Sequence, residues 1–180
     1  MISYPSVTEV ISLYADYSKI SPVVLDAACE RGTKVHEICA MIARGEFVVG
    51  IDPAYQGYID SFRRWYDAVV DVLIFAEERL ADMQFGFHGQ PDLLVKSKYG
   101  EILMVDLKTP AAKSKVWRLQ LAAYSHLVTL AYPDTGPFRA GSLRLSPVGK
   151  TPKMDWYDGS GATDLNVFVS ALNVFRYFNS

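Results

Sequence analysis

Apolar positions along the chain recur with two different periods, and the first part of the chain carries the helical one. Ser6 and Glu9 fit a capping box that opens a short helix. Ser21 and Asp52 each precede a proline, and an N-cap followed by proline at the first helical position is typical of a helix start. These signals predict three helices, the second of which runs to about Gly45.

The period changes to that of strands after position 72. Residues 72–80 are rich in β-branched and aromatic side chains, which predicts a strand followed by a polar loop. Residues 89–109 contain two apolar runs around the short turn 97–100, and a turn of this length forces an antiparallel hairpin. Further along, the patterns predict a helix over 114–132, strands over 138–145 and 153–157, and a helix over 164–177.

This order of elements predicts a single domain over residues 1–180. A chain of 180 residues is long enough to bury a substantial core, and its 50% hydrophobic and 21% charged residues are an ordinary globular mixture. Helices on either side of a run of strands favour an α/β (α+β) fold. We expect a central mixed sheet with an antiparallel hairpin at its core and helices on its flanks.

The predicted hairpin carries charged residues at positions otherwise suited to burial. Asp106 and Lys108 are two residues apart, so they project from the same face of their strand. If Lys96 pairs near Ile102, Asp92 lies opposite Asp106 to within about one residue, with Cβ atoms about 4.5–5.5 Å apart. Two carboxylates this close repel unless a proton or a cation lies between them, and one lysine offsets only one charge.

Two interpretations of these charged residues remain open on spacing alone. Mg²⁺ or Mn²⁺ takes carboxylate oxygens, with the main-chain carbonyl of Leu107 as an extra ligand, and a nearby lysine can orient a water for phosphodiester hydrolysis. The alternative is a structural salt bridge between Lys108 and either Asp92 or Asp106.

Charge along the chain restricts where a nucleic acid could bind. The net charge of −2 and the pI near 5.9 give no overall basic field, so a nucleic-acid contact requires a local cluster. Residues 96–118 contain six basic side chains against two acidic ones. This segment is either such a cluster or an ordinary solvated face.

The motif Pro91-Asp92, followed fourteen residues later by Asp106-Leu107-Lys108, resembles the signature of the PD-(D/E)xK nuclease superfamily. Further features resemble its RecB-like exonuclease branch, which is common in phage recombination proteins and host repair enzymes. They are an RGT-x-x-H sequence from Arg31 to His36, Glu77 fifteen residues before Asp92, Gly89 three residues before Asp92, and a Q-x-x-x-Y sequence from Gln120 to Tyr124. The resemblance covers roughly residues 5–130.

This resemblance implies a restriction-endonuclease-like fold and a set of functional residues. The implied metal ligands for Mg²⁺ or Mn²⁺ are His36, Asp92, Asp106 and the Leu107 carbonyl, with Glu77 as a further contact. The implied catalytic residues are Asp92, Asp106, Lys108, Gln120 and Tyr124. Without the resemblance, the position of His36 on an apolar patch favours a structural histidine. Gln120 and Tyr124 share one helix face, where three roles are open: support of Lys108, contact with DNA, or packing of the helix against the sheet.

Six residues are predicted to contact DNA: Arg31, Lys34, Lys113, Lys115, Trp117 and Arg118. Basic side chains contact phosphates, and a tryptophan can stack on a splayed base. The alternative for Trp117 is a place in the core, because an aromatic residue at helical spacing is more often buried.

The function implied is a metal-dependent DNA exonuclease that acts on linear single- or double-stranded DNA in recombination, repair or phage DNA processing. The resemblance implies products with a 5′-phosphate and a 3′-hydroxyl, and a homo-oligomer or a helicase or recombination partner. Three alternatives stay open: an endonuclease of the same superfamily, a nucleic-acid-binding scaffold without turnover, and an enzyme that uses the carboxylates on another substrate.

The two cysteines and the hydropathy pattern predict a soluble cytoplasmic protein, and the resemblance implies a bacterium or a phage-infected host cell. Cys29 and Cys39 lie ten residues apart with no CxxC motif, which argues against a zinc site and an iron–sulfur cluster and predicts two buried thiols. The sequence lacks a signal-peptide pattern and any apolar run near the roughly 20 residues of a membrane span.

Overall fold

A five-stranded mixed sheet forms the centre of the computed structural model, which describes residues 4–18, 20–110, 112–157 and 161–179. The helices are α1 (Val7–Ser12), α2 (Pro22–Ala43), α3 (Pro53–Val69), α4 (Val116–Ala131) and α5 (Gly161–Asn179), with a short 3₁₀ helix at Pro133–Thr135. The strands are β1 (Val70–Ala76), β2 (Leu80–Asp82), β3 (Phe87–Gly89), β4 (Leu93–Ser97), β5 (Ile102–Lys108), β6 (Phe138–Arg144) and β7 (Lys153–Trp156).

The central sheet has the strand order β1-β4-β5-β6-β7. Strands β4 and β5 form the predicted antiparallel hairpin, with Lys96 opposite Ile102. Strand β6 pairs parallel to β5, because α4 carries the chain back across the sheet before β6 begins. The predicted α/β (α+β) fold with a mixed sheet and a hairpin at its core is therefore confirmed.

Strand β5 is buried on both faces, since helices cover the sheet on each side. Met104 packs in a cluster with residues of α1, α4 and α5, whereas Leu103 and Val105 pack with residues of α2 and α3. Fully burying side chains of this size stabilises the fold by about 1.5–3 kcal/mol each. Burial on both faces explains why the apolar run of β5 shows little alternation, and why a charge within it requires a partner.

The predicted strand over 72–80 is wrong at its C-terminal end. Strand β1 ends at Ala76, and Glu77 adopts a left-handed backbone conformation with φ of 54°. This conformation turns the chain away from the sheet, so Leu80 begins the separate strand β2. Strand β2 pairs antiparallel with β3, in the segment that the sequence predicted to be a polar loop.

Asp82 connects this small hairpin to α4. It is 4% exposed, its Oδ1 accepts hydrogen bonds from the backbone N–H groups of Gln84 and Phe85, and its Oδ2 lies 2.7 Å from Nε2 of His126. Burial acts to raise the pKa of Asp82, but the hydrogen bonds from His126 and the two N–H groups outweigh it and hold the pKa below its ordinary value.

We expect Asp82→Asn to lower the free energy of unfolding at pH 7 by about 1.5–3 kcal/mol, because the buried carboxylate loses charge-assisted hydrogen bonds. A depressed folded-state pKa means that the carboxylate stabilises the protein above the unfolded pKa of about 3.9, and that this contribution is lost as the pH falls through the folded pKa. Urea unfolding at pH 7 and at about pH 3 measures the free energy of unfolding of the wild type and of Asp82→Asn. The difference between them should shrink at the lower pH, and an equal difference at both pH values would contradict the expectation.

The two cysteines differ in their environments. Cys39 is buried, and burial raises the pKa of its thiol well above the ordinary value. Cys29 is exposed, so the prediction of two buried thiols is wrong for this residue. It lies on the outer part of α2, where neighbouring positions are also exposed. Within the described ranges, no helix is both long and apolar enough to cross a membrane.

Candidate active site

Asp92 and Asp106 face each other where the β4–β5 ladder ends. Leu93 pairs with Val105. Asp92 directly precedes Leu93 and Asp106 directly follows Val105, so these two residues are the next opposed pair in the same antiparallel register. The start of β4 and the end of β5 lie at one edge of the sheet. The strand pairing therefore brings together two carboxylates that are fourteen residues apart in the chain.

Asp92 is nearly buried and is held by groups from two other elements. Its Oδ1 lies 3.2 Å from Nδ1 of His36 in α2, and its Oδ2 accepts a hydrogen bond of 2.5 Å from the backbone N–H of Leu107. Burial acts to raise the pKa of Asp92, but His36, Lys108 and the Leu107 N–H group outweigh it, so the pKa lies below its ordinary value. Asp92 is therefore an ionised carboxylate at neutral pH.

Asp106 is 2% exposed and forms an ion pair with Lys108. Its Oδ2 lies 2.7 Å from the Lys108 Nζ and also accepts a hydrogen bond of 3.4 Å from the Ser142 hydroxyl. Burial raises the pKa of Asp106 in spite of the ammonium group of Lys108, and the charge of Asp92 raises it further. The structural salt bridge between Lys108 and Asp106 is thus formed, and it lies beside the second carboxylate.

Lys108 is fixed by a chain of side chains from α4. Its Nζ donates a hydrogen bond of 2.7 Å to Oε1 of Gln120, and Nε2 of Gln120 donates one of 3.2 Å to the hydroxyl of Tyr124. The ring of Trp117 lies on another side of the ammonium group, with 5.4 Å between Nζ and the ring centroid. These contacts restrict the lysine to one position at the end of β5.

His36, Glu77 and Asp92 each offer one ligand atom, and these atoms all lie within 4.8 Å of one another. Burial acts to lower the pKa of His36, but the neighbouring Asp92 outweighs it, so the pKa of His36 lies above its ordinary value. Burial and Asp92 both raise the pKa of Glu77. The left-handed backbone of Glu77 places it here, and its N–H donates a hydrogen bond of 2.8 Å to the Asp92 carbonyl. Carboxylate oxygens with one imidazole suit Mn²⁺ well and Mg²⁺ acceptably.

A cleft of about 460 Å³, which we call the strand-end cleft, is lined by five of the residues described above: His36, Asp92, Asp106, Gln120 and Tyr124. Arg79 and His88 also line it, and sequence reasoning missed both as site residues. Nη2 of Arg79 lies 3.0 Å from Nε2 of His88, and burial together with Arg79 lowers the pKa of His88. The left-handed turn at Glu77 and the β2–β3 hairpin bring these two residues to the cleft. Neither residue belongs to a sequence motif, so the sequence contains no signal for them.

The family model of the PD-(D/E)XK nuclease superfamily matches residues 23–165. The chain belongs to this superfamily. Nucleases of the PD-(D/E)XK superfamily use divalent metal ions, and the donor atoms of His36, Glu77 and Asp92 fit such an ion. The motif behind the superfamily name corresponds to Pro91-Asp92 and to Asp106-Leu107-Lys108 at the β4–β5 edge.

Two solved structures show a distant similarity to this PD-(D/E)XK chain. A provisionally assigned exonuclease from Eubacterium rectale is 12% identical, with a TM-score of 0.37 over 76% of this chain and 70% of that one. LHK-Exo in complex with dAMP is 14% identical, with a TM-score of 0.33 over 96% of this chain and 87% of that one. No curated protein matches the chain.

The residues predicted to contact DNA lie in three segments of the PD-(D/E)XK fold: α2, the stretch that precedes α4, and the first turn of α4. Lys34 pairs with Glu37, Lys113 with Asp155 and Arg118 with Asp164; Arg31 lies over the ring of Tyr58, and Lys115 is exposed. Trp117 is 6% exposed and packs below Lys108, so its ring is not available to stack on a base. Trp117 is therefore a buried residue, as the alternative to a DNA contact predicted.

Gly89 sets the position of Tyr124 in the cleft. A Cβ atom at Gly89 would lie 2.6 Å from Cε1 of Tyr124 and 3.1 Å from Cδ1 of Leu127. We expect Gly89→Ala to displace the tyrosine, lower the free energy of unfolding by about 1–3 kcal/mol through overpacking, and slow cleavage. Urea unfolding and nuclease assays measure both effects.

Gly161→Ala is the matched control, because a Cβ atom there has open space around it and the glycine has no positive φ. The control should unfold and cleave like the wild type. Equal behaviour of the Gly89 and Gly161 variants would show that the close approach to Tyr124 has no consequence.

Proposed function

We propose that this nuclease is a metal-dependent DNA exonuclease whose catalytic residues are Asp92, Asp106 and Lys108. The observation that carries the proposal is that two facing carboxylates line the strand-end cleft and that the Nζ of Lys108 lies 2.7 Å both from a carboxylate oxygen of Asp106 and from Oε1 of Gln120. Buried charges that are neither solvated nor fully paired are unfavourable for stability, and their concentration in a cleft is typical of a functional site.

The proposed ligands of the metal ion are His36, Asp92, Asp106 and the carbonyl of Leu107, with Glu77 as a further contact. In this protein Leu107 contacts Asp92 through its N–H group, which orients the carboxylate. Mg²⁺ or Mn²⁺ at these ligands would lower the pKa of a water molecule and neutralise negative charge that develops on the phosphate.

Lys108 positions the attacking water in this proposal. An ammonium group has three N–H donors, and Asp106 and Gln120 accept from two of them. The third can donate to the water or to a phosphate oxygen. Gln120 and Tyr124 act on the reaction through the lysine, because their hydrogen bonds fix its head group, and burial raises the pKa of Tyr124 so that its phenol stays neutral.

Action on DNA ends, in recombination, repair or phage DNA processing, is supported by the resemblance of the Arg31–His36 and Gln120–Tyr124 sequences to the RecB-like branch. We further propose that residues 1–180 form one nuclease domain that works as a homo-oligomer or with a helicase or recombination partner. A scaffold that binds nucleic acid without turnover is the second candidate, favoured by the ion pair that already occupies Asp106.

Cleavage of end-labelled DNA tests the proposal. Linear single-stranded DNA, linear duplex and a closed circle are each incubated with Mg²⁺, Mn²⁺ or EDTA. We expect loss of linear DNA with either metal, no loss in EDTA and an intact circle. Cleavage of the circle would replace the exonuclease by an endonuclease, and no cleavage with any metal while DNA still binds would favour the scaffold.

A further inference from the structure

A second cleft, of about 430 Å³, is lined in part by Thr109 and Pro110, the segment that follows Lys108. Four basic side chains line it, and we call it the basic cleft: Arg31, Arg144, Lys150 and Lys153. No carboxylate occurs among its described lining residues. A concave surface with this charge favours an anionic ligand.

The basic cleft adjoins the strand-end cleft through two stretches of chain. Thr109 and Pro110, which directly follow Lys108, line the basic cleft, and Arg31 lines it while the next residue, Gly32, lines the strand-end cleft. The backbone N–H of Leu145 donates a hydrogen bond of 2.8 Å to the Lys108 carbonyl, which ties the end of β6 to the end of β5. A Cβ atom at Gly32 would lie 4.0 Å from Oγ1 of Thr109, so lining residues of the two clefts are neighbours in space and a polymer bound at one cleft can extend toward the other.

Arg31 carries a donor that the fold leaves unsatisfied. Its Nε is buried and has no hydrogen-bond partner in the part of the chain that the structure describes, while its guanidinium lies 5.9 Å from the ring centroid of Tyr58. Buried polar atoms are nearly always hydrogen-bonded, and guanidinium groups bind phosphate through paired N–H donors. An unmet arginine donor beside a basic cleft points to an anionic acceptor.

The carboxylate that pairs with Arg144 is also paired with a second cation. Oδ2 of Asp155 lies 2.7 Å from Nε of Arg144, and its Oδ1 lies 2.6 Å from Nζ of Lys113. Both oxygens therefore face a cation, and the single negative charge cannot cancel the remaining positive charge. The exposed Lys150 and Lys153 add to the field at the mouth of the cleft.

We propose that the basic cleft binds the phosphodiester backbone of the nucleic-acid strand to one side of the phosphate that is cleaved. This inference rests on the proposed function for its substrate. It assigns Arg31, Lys150 and Lys153 to binding of a longer strand rather than to the chemical step.

The test compares Lys150→Ala/Lys153→Ala with the matched control Lys96→Ala/Lys98→Ala, which removes two exposed lysines near the turn between β4 and β5. Fluorescence anisotropy with a labelled oligonucleotide in EDTA measures the dissociation constant at several NaCl concentrations. The basic-cleft variant should bind about tenfold more weakly, and its log–log salt slope should fall by about 0.7–0.9 for each phosphate that the variant no longer neutralises. Binding equal to that of the control would overturn the proposal.

A small chromogenic phosphodiester, bis-p-nitrophenyl phosphate, separates this proposal from the proposed function. The basic-cleft variant should hydrolyse it like the wild type, whereas KM for long DNA should rise with kcat unchanged. A variant that loses hydrolysis of both substrates equally would contradict a role in strand binding. If the wild type cleaves neither substrate, the proposed function fails, and the anisotropy measurement still decides whether the basic cleft binds a strand.

Discussion

Replacing Lys108 with alanine should slow metal-dependent cleavage of linear DNA by about 10³-fold, since a positioned proton-transfer or electrostatic group contributes about 10²–10⁴ to the rate. The lysine forms an ion pair with Asp106 and a hydrogen bond with Gln120, so its loss removes both polar contacts at once. Single-turnover cleavage in Mg²⁺ measures the effect. Lys96→Ala is the control, because it removes an exposed cation of β4 and should leave cleavage unchanged.

The effects of Lys108 on stability and on catalysis can be separated by changing Lys108 and Asp106 together. Loss of Lys108 leaves Asp106 buried without its cation, and breaking a buried ion pair costs about 3–5 kcal/mol. Burial already raises the pKa of Asp106, so protonation can relieve part of this cost. Lys108→Ala/Asp106→Asn should therefore recover stability over the single variant but no activity. Normal cleavage by either variant would show that the site is assigned wrongly.

The second large effect is expected from Asp92→Asn. Asparagine keeps the shape and can still accept the hydrogen bond from the Leu107 N–H group, so the fold should persist. It removes the charge that lies next to both His36 and Asp106, and we expect Mn²⁺ affinity to fall by at least about 100-fold, since loss of outer contacts alone typically costs about 10–100-fold. Titration calorimetry with Mn²⁺ measures this, and cleavage should be lost in parallel.

Asp71→Asn provides the matched control, since Asp71 is an exposed carboxylate of β1. This variant should bind Mn²⁺ and cleave DNA like the wild type. Unchanged Mn²⁺ binding by Asp92→Asn would exclude Asp92 as a ligand.

The hairpin and its paired carboxylates were predictable because strand geometry is local. The short turn fixes the register of β4 and β5, so counting from Lys96 and Ile102 places Asp92 opposite Asp106. The break after Ala76 was not predictable, since residues 72–80 favour a continuous strand and only the left-handed backbone of Glu77 interrupts it.

Residues from distant segments were the hardest part of the site to find. His36 was selected by resemblance rather than by its apolar surroundings, and it contacts Asp92 across 56 positions of sequence. Arg79 and His88 reach the cleft through a turn and a hairpin that carry no motif. Helical spacing alone does not say which side chains of α4 face the sheet. Trp117 is one that does, which is why its prediction as a DNA contact does not describe the structure.

Anomalous diffraction from crystals soaked in Mn²⁺ tests the proposed metal site most directly. We expect a manganese peak in the strand-end cleft with Asp92 and Asp106 among its ligands and Lys108 beside it. A peak bound by His36, Glu77 and Asp92, with Asp106 still paired only to Lys108, would remove Asp106 from the ligand set. No peak within reach of Asp92 would contradict the metal-dependent mechanism at this site.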